Sequence, residues 1–262
     1  MELIENIKYF ILCQKYHWKE FFIYRLQGLI WVIVGSFGVI FTYIPVTIIY
    51  SISQGIPGWS YFQLLLLSNT AGFTIGFVWY FIVPWNIVNG MRAGELDKYL
   101  IRPFGKITCI LSGYPGNLTG IAGLIGSLLL TIYSLANLKL QLLSIAIFVF
   151  GMLLGIAALV MLFLLITILA YLFMNSAQFT NSMLNISWSA NSYPLGIYGS
   201  IIQLIFTLVL PIGFAVYYPI QVLLGFINPI FAIISIFGLL VITAVSKLGF
   251  DKVIKSYSSG GG

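Results

Sequence analysis

The 262-residue chain is 60% hydrophobic and 7% charged, with a mean hydropathy of +1.05 and a net charge of +6. Soluble domains are roughly 45–50% apolar and about 25% charged, so lipid is the solvent for most of this chain, and one membrane domain fills its length. The 12 basic residues lie between hydrophobic runs and not on one face, which argues against a nucleic-acid partner and for topology signals.

Residues 1–24 read as an amphipathic helix in the interface plane. Leu3, Ile7, Phe10, Ile11, Trp18, Phe21 and Phe22 fall on one stripe, and Glu2, Glu5, Lys15 and Lys19 fall elsewhere. Six stretches then reach the roughly 20 apolar residues a crossing needs: 26–50, 61–90, 110–136, 142–173, 197–220 and 227–246. The predicted fold is an all-α polytopic membrane protein, with a membrane domain over 25–247 and a tail over 248–262. The closing Ser-Ser-Gly-Gly-Gly run is set aside as an appended tail.

Orientation follows from the basic residues. Lys8, Lys15, Lys19 and Arg25 precede the first span, Arg92, Lys98, Arg102 and Lys106 follow the second, and Lys247, Lys252 and Lys255 follow the sixth. Only Lys139 falls on the other side, so both termini are expected in the cytosol. The polar segment 174–196 is expected on that side too. Pro211, Pro219 and Pro229 interrupt the apolar run after 201. Broken helix in lipid needs cover from protein or a watery cavity. The fifth span is expected to end near Pro211, with short re-entrant helices before the sixth; one proline-kinked span is the alternative.

Catalytic chemistry finds few candidates. Cys13, Cys109 and His17 form no metal-ligating cluster, and a cytosolic disulfide is not expected. Between Ile107 and Ser246 the only charged residue is Lys139, so no buried acid is available for ion-driven transport. A phosphate loop is missing as well. Gly105-Lys106 has Leu100 where the first glycine should stand and Ile107 where the hydroxyl should stand. The pairs Gly72/Gly76, Gly116/Gly120 and Gly151/Gly155 have the spacing of close helix packing, within one subunit or at a dimer seam.

One short stretch breaks the avoidance of charge. "GELDKYLIRP", residues 94–103, holds Glu95, Asp97, Lys98 and Arg102. It reads as a one- to two-turn helix that starts at Gly94, with both acids in its first turn, Leu96 and Leu100 on one face, and Pro103 as its stop. Physics alone leaves two readings: a plug for a groove on a soluble partner, or a charged topology loop.

The stretch resembles the G-x-L-D-x-x-L-x-R-P signature of one branch of the ABC-2 type permeases, through Gly94, Leu96, Asp97, Leu100, Arg102 and Pro103. "LPIGFAVYYPIQVLLG" (210–225), with Pro211, Phe214, Tyr218 and Pro219, and "YPLGIY" (193–198) are similar to further family features. The resemblance implies a permease subunit of an ATP-binding-cassette exporter in a bacterial plasma membrane. It implies a second permease subunit, identical or related, and two separate ATPase subunits that hold ATP and Mg, with no cofactor on this chain. Residues 94–103, Glu95 included, would be the coupling helix, Leu96 its apolar anchor, and 211–219 part of a re-entrant lid. A non-transporting anchor subunit that docks a soluble partner, or a secondary carrier, are the competing readings.

Overall fold

The computed structural model describes residues 2–23, 25–53, 55–114, 120–174 and 176–257. Every regular element among them is helical. In chain order these are α1 (Glu2–Ile23), α2 (Arg25–Ile52), α3 (Tyr61–Phe81), α4 (Pro84–Arg92), α5 (Asp97–Leu100) and α6 (Lys106–Gly113). Then follow α7 (Gly120–Asn137), α8 (Leu142–Met174), α9 (Gln178–Asn191), α10 (Ser200–Leu204), α11 (Tyr218–Leu223) and α12 (Ile230–Val253).

Among the described residues five helical stretches are long and apolar enough to cross a bilayer: Gly28–Ile52, Tyr61–Arg92, Gly120–Asn137, Leu142–Met174 and Ile230–Ser256. The chain is an all-α polytopic membrane protein. The third span starts at Gly120 and not at 110, because Lys106–Gly113 folds as a separate short helix. The last helix runs to Val253, so the first residues of the expected tail continue it. Gly116 and the rest of 115–119 lie outside the described residues, as do 258–262.

The expected span at 197–220 is not one helix. Ser200–Val209 and Gly213–Leu223 meet at 84°. At 1.5 Å per residue each is about 15 Å long, half of a hydrocarbon core. Pro211 sits at the bend. The second arm packs on α8 and α12: a Cβ on Gly155 would lie 2.8 Å from that of Ala215, and one on Gly238 2.9 Å from the Phe214 ring. Pro219 lies over Gly151. Thus Gly151/Gly155 receives the bent pair, and Gly72/Gly76 receives Ser127 and Leu124 of α7. Both glycine pairs serve packing within this chain.

The segment expected to lie outside the bilayer, 174–196, contains α9, which is 14 residues long and is not among the five stretches with the length and composition of a crossing. The helix runs beside α3, with Thr180, Leu184, Ser187 and Ala190 buried. It begins against α4, at the end of the bundle that carries Arg92. By Gly196 the chain has reached the opposite end. There the Gly196 N–H donates to the Tyr217 hydroxyl at 3.3 Å, and the Tyr217 ring lies 6.3 Å from Trp59 of the α2–α3 loop. Sequence reading missed this end-to-end helix because it is rich in Asn, Ser and Thr, and hydropathy reports contact with lipid. A helix covered by its neighbours needs no apolar circumference.

Candidate functional site

The site is built at the end of the bundle where α4, α5, α6 and α1 meet. Its first element is a helix stop. The Glu95 N–H donates to the Gly90 carbonyl at 2.8 Å and the Gly94 N–H to Met91 at 3.2 Å, with Gly94 at φ +68°. That pattern closes the C-terminus of α4, and its left-handed residue favours glycine. Gly94 therefore ends one helix and does not start the next, which corrects the sequence reading. The following turn spans Asp97–Leu100, closed by Leu100 N–H to Leu96 and Ile101 N–H to Asp97. Asp97 lies in its first turn and Glu95 precedes it.

Leu96 has 0% exposure and Tyr99 6%. Both are packed into the chain's own core, so Leu96 is no free anchor for a partner. The correction follows from the turn at Gly94, which rotates Leu96 inward. The exposed apolar group is Ile101, at 83%, a residue the sequence reading passed over. Around it Glu95, Lys98, Arg102 and Pro103 are exposed, and Asp97 and Leu100 are half-buried. Lys98 Nζ lies 3.5 Å from Glu95 Oε2. At such exposure the pair is worth about 0–1 kcal/mol.

Tyrosines brace the turn. The Tyr99 hydroxyl donates to the Gly113 carbonyl of α6 at 2.9 Å, and its ring meets that of Tyr114 edge-on at 5.3 Å. A Cβ on Gly113 would lie 2.2 Å from the Tyr99 ring, and one on Gly90 2.3 Å from the Tyr114 hydroxyl. Glycine at both positions admits the rings. Burial pushes the Tyr114 hydroxyl well above the usual phenol range.

The first helix completes the brace. Its Asn6, Tyr9, Phe10, Cys13 and Gln14 turn inward, while Ile4, Ile7 and Ile11 are exposed. Phe10, read from sequence as part of the apolar stripe, instead meets Phe81 at 5.9 Å. Asn6 Oδ1 accepts the Gly105 N–H at 2.7 Å, and the Tyr80 hydroxyl donates to Gln14 Oε1 at 2.7 Å. Tyr9 stacks on Phe104 at 4.3 Å and accepts a hydrogen bond from the Arg102 guanidinium. That guanidinium also lies 5.1 Å from the Tyr99 ring centre. Burial raises the Tyr9 pKa, the hydrogen bond with Cys13 adds to the rise, and Arg102 opposes it.

Among the described residues no group of three His, Cys, Asp or Glu side chains could hold a metal. The second candidate set, Pro211, Phe214, Tyr218 and Pro219, lies on the bent pair. Tyr218 there meets Phe214, Tyr217 and Phe231 at ring distances of 5.9, 5.5 and 6.2 Å. The two sets sit apart, at opposite ends of the bundle.

Fold and site together define a polytopic helical membrane protein with a braced, surface-presented helical turn between its second and third crossings. The chain belongs to the ABC-2 family: the family model described as "ABC-2 family transporter protein" matches residues 36–261. It is the membrane permease component of an ABC transporter. No curated protein and no solved structure matches it.

Proposed function

We propose that this chain is the permease subunit of an exporter in a bacterial plasma membrane, driven by two separate ATPase subunits through residues 94–103. ATP and Mg belong to those subunits, and the chain itself binds no cofactor. A second permease subunit, identical or related, completes the path. Both termini and the braced turn face the cytosol, in line with the eleven basic residues on that side against Lys139 on the other. The bent pair at 200–223 forms a re-entrant lid on the outer side.

One observation carries the reading. A single helical turn presents Glu95, Lys98, Ile101 and Arg102 outward while Leu96 and Tyr99 hold it to the bundle. A topology signal needs Lys and Arg only, since acids contribute little to orientation. Glu95, Asp97 and a bare isoleucine are explained by a partner surface that mixes charge with an apolar contact.

The test is reconstitution of the chain in vesicles, alone and with its ATPase. Transport is expected with ATP and both components. Transport by the chain alone under an imposed proton or sodium gradient would sink the proposal and restore the carrier reading.

A further inference from the structure

We propose that the hollow between α8, α11 and α12 holds one anionic phospholipid of the outer leaflet, with an acyl chain inside it and the phosphate at the start of α8 beside Lys139. The leaflet, though not the site, rests on the proposed orientation of the permease.

The hollow has a volume of 250 Å³ and no charged residue in its wall. It runs down α8 from Gln141 to Gly151 and down α12 from Pro229 to Leu239. At 1.5 Å per residue each run is about 15 Å, half of a hydrocarbon core and the depth of one leaflet's acyl chain. Further down, a Cβ on Gly249 would lie 2.9 Å from the Leu165 side chain. The two helices therefore run in parallel, and depth can be compared across the hollow. Its polar residues, Gln141, Ser144 and Ser235, lie within about 9 Å of the mouth. Phe148, Leu223 and Leu239 line the deeper part, and Pro219 over Gly151 closes it. Polar groups above apolar ones match a lipid that enters chain first.

Ser235 shows that the wall lacks a partner. It is 1% exposed, and its hydroxyl has no hydrogen bond among the described residues. Other buried or half-buried hydroxyls in these spans donate to the carbonyl one turn back: Ser134 to Leu130 at 2.7 Å, Thr167 to Phe163 at 2.7 Å and Thr243 to Leu239 at 2.8 Å. Ser235 keeps its hydrogen, and an unpaired buried hydroxyl is costly. Half-buried Ser144, on the facing helix, is also without a partner among the described residues. The ester carbonyls of a diacyl lipid are acceptors that carry no donor, and they hang just below the phosphate. Two free hydroxyls in the upper part of an apolar hollow suit them.

The mouth adds a preference for negative charge. Lys139 is exposed, two residues before Gln141, and is the only charged residue between Ile107 and Ser246. The α2–α3 loop at the same end carries no charge. The 33-residue α8 begins at Leu142, and the unpaired N–H groups and dipole of a helix start favour an anion. A headgroup with net negative charge meets a cation here and no carboxylate.

The full chain in mild detergent is titrated with dioleoyl phosphatidylglycerol or dioleoyl phosphatidylcholine. Bound lipid is counted by native mass spectrometry, and Tm is followed in parallel. Retention of one phosphatidylglycerol in preference to phosphatidylcholine is expected, with a rise in Tm. Lys139→Gln weakens phosphatidylglycerol binding about fivefold and removes the preference. Ser235→Ala deletes an unpaired group, so the lipid-free chain unfolds no earlier, while binding weakens about fivefold. Ser144→Phe fills the mouth from a half-buried position, and the bound lipid is lost. Equal retention of the two lipids by the wild type, or wild-type retention in Ser144→Phe, would overturn the proposal. So would a Leu143→Cys disulfide formed quantitatively between two chains, because a second copy would then cover the hollow. The titration reads neither orientation nor ATPase docking. Its failure leaves the proposed function standing, and failure of that function leaves the lipid site in place.

Discussion

Leu96 and Ile101 are five residues apart and do opposite work, and a pair of truncations separates them. Leu96 is fully buried, so Leu96→Ala removes buried atoms and leaves a cavity, at a cost of about 2–5 kcal/mol. Ile101 is 83% exposed, so Ile101→Ala changes the stability of the permease alone by less than about 0.5 kcal/mol. At the proposed ATPase contact the order reverses. Ile→Ala deletes three carbons, worth about 0.8 kcal/mol each when buried, or roughly 2 kcal/mol after allowing for the area already covered. That corresponds to about a 30-fold weaker complex. Thermal unfolding of the purified permease reads the first effect, and interferometry with immobilised ATPase reads the second. The expected pattern is a lowered Tm with near-normal binding of the folded fraction for Leu96→Ala. For Ile101→Ala it is a normal Tm with weak binding. If Ile101→Ala bound like the parent while folded Leu96→Ala did not, Leu96 would be the anchor after all, and the turn would have to rotate on docking.

Two further substitutions probe the brace, and one labelling experiment probes the lid. Gly113→Ala places a methyl 2.2 Å from the Tyr99 ring. It should displace that ring at a cost of about 1–3 kcal/mol, read as a lower Tm together with weaker ATPase binding. Arg102→Lys keeps the charge and loses the planar stacking on Tyr9 and Tyr99, so amide hydrogen exchange over 2–23 should accelerate. Leu224→Cys and Phe226→Cys, each with Cys13 and Cys109 removed, should react with an impermeant thiol reagent applied to whole cells. Labelling from the cytosolic side alone would remove the outer lid.

The parts of this fold that touch lipid were legible in the sequence, because lipid imposes a length and a composition. Gly28–Ile52, Tyr61–Arg92 and Leu142–Met174 lie within two residues of the expected ends. The break at Pro211 was legible because proline cannot donate a backbone hydrogen bond. Helix α9 was hidden because Thr180, Asn181 and Ser187 are buried against other helices, where composition carries no helix-on-bundle signal. At the site, the charges of 94–103 announced a surface, but the direction of Leu96 depended on Gly94. The same glycine can open a helix or close one, and the Glu95-to-Gly90 hydrogen bond that decides between them is a matter of conformation. Apolar Ile101 looked like its neighbours in an apolar chain.

In the proposed docking, the turn would pass on a displacement only to the extent that it does not yield itself, and the bracing here limits that yielding. A free one-turn helix is marginal, since nucleation costs more than a single turn returns. In this chain the turn is tied on three sides. Its N-terminal side continues through Gly94 into α4, and the Tyr257 hydroxyl donates to the Met91 carbonyl there at 3.3 Å. Its middle is tied to α6 by the Tyr99 hydroxyl, and its C-terminal side to α1 by Arg102 and Gly105. A displacement of Ile101 therefore reaches α4, α6 and α1 together and cannot be absorbed by the loop. Through α4 it passes to α3, with which α4 forms one candidate span. Movement at the charged end would reach α3 through packed side chains, and no titratable group in the bilayer is required for it.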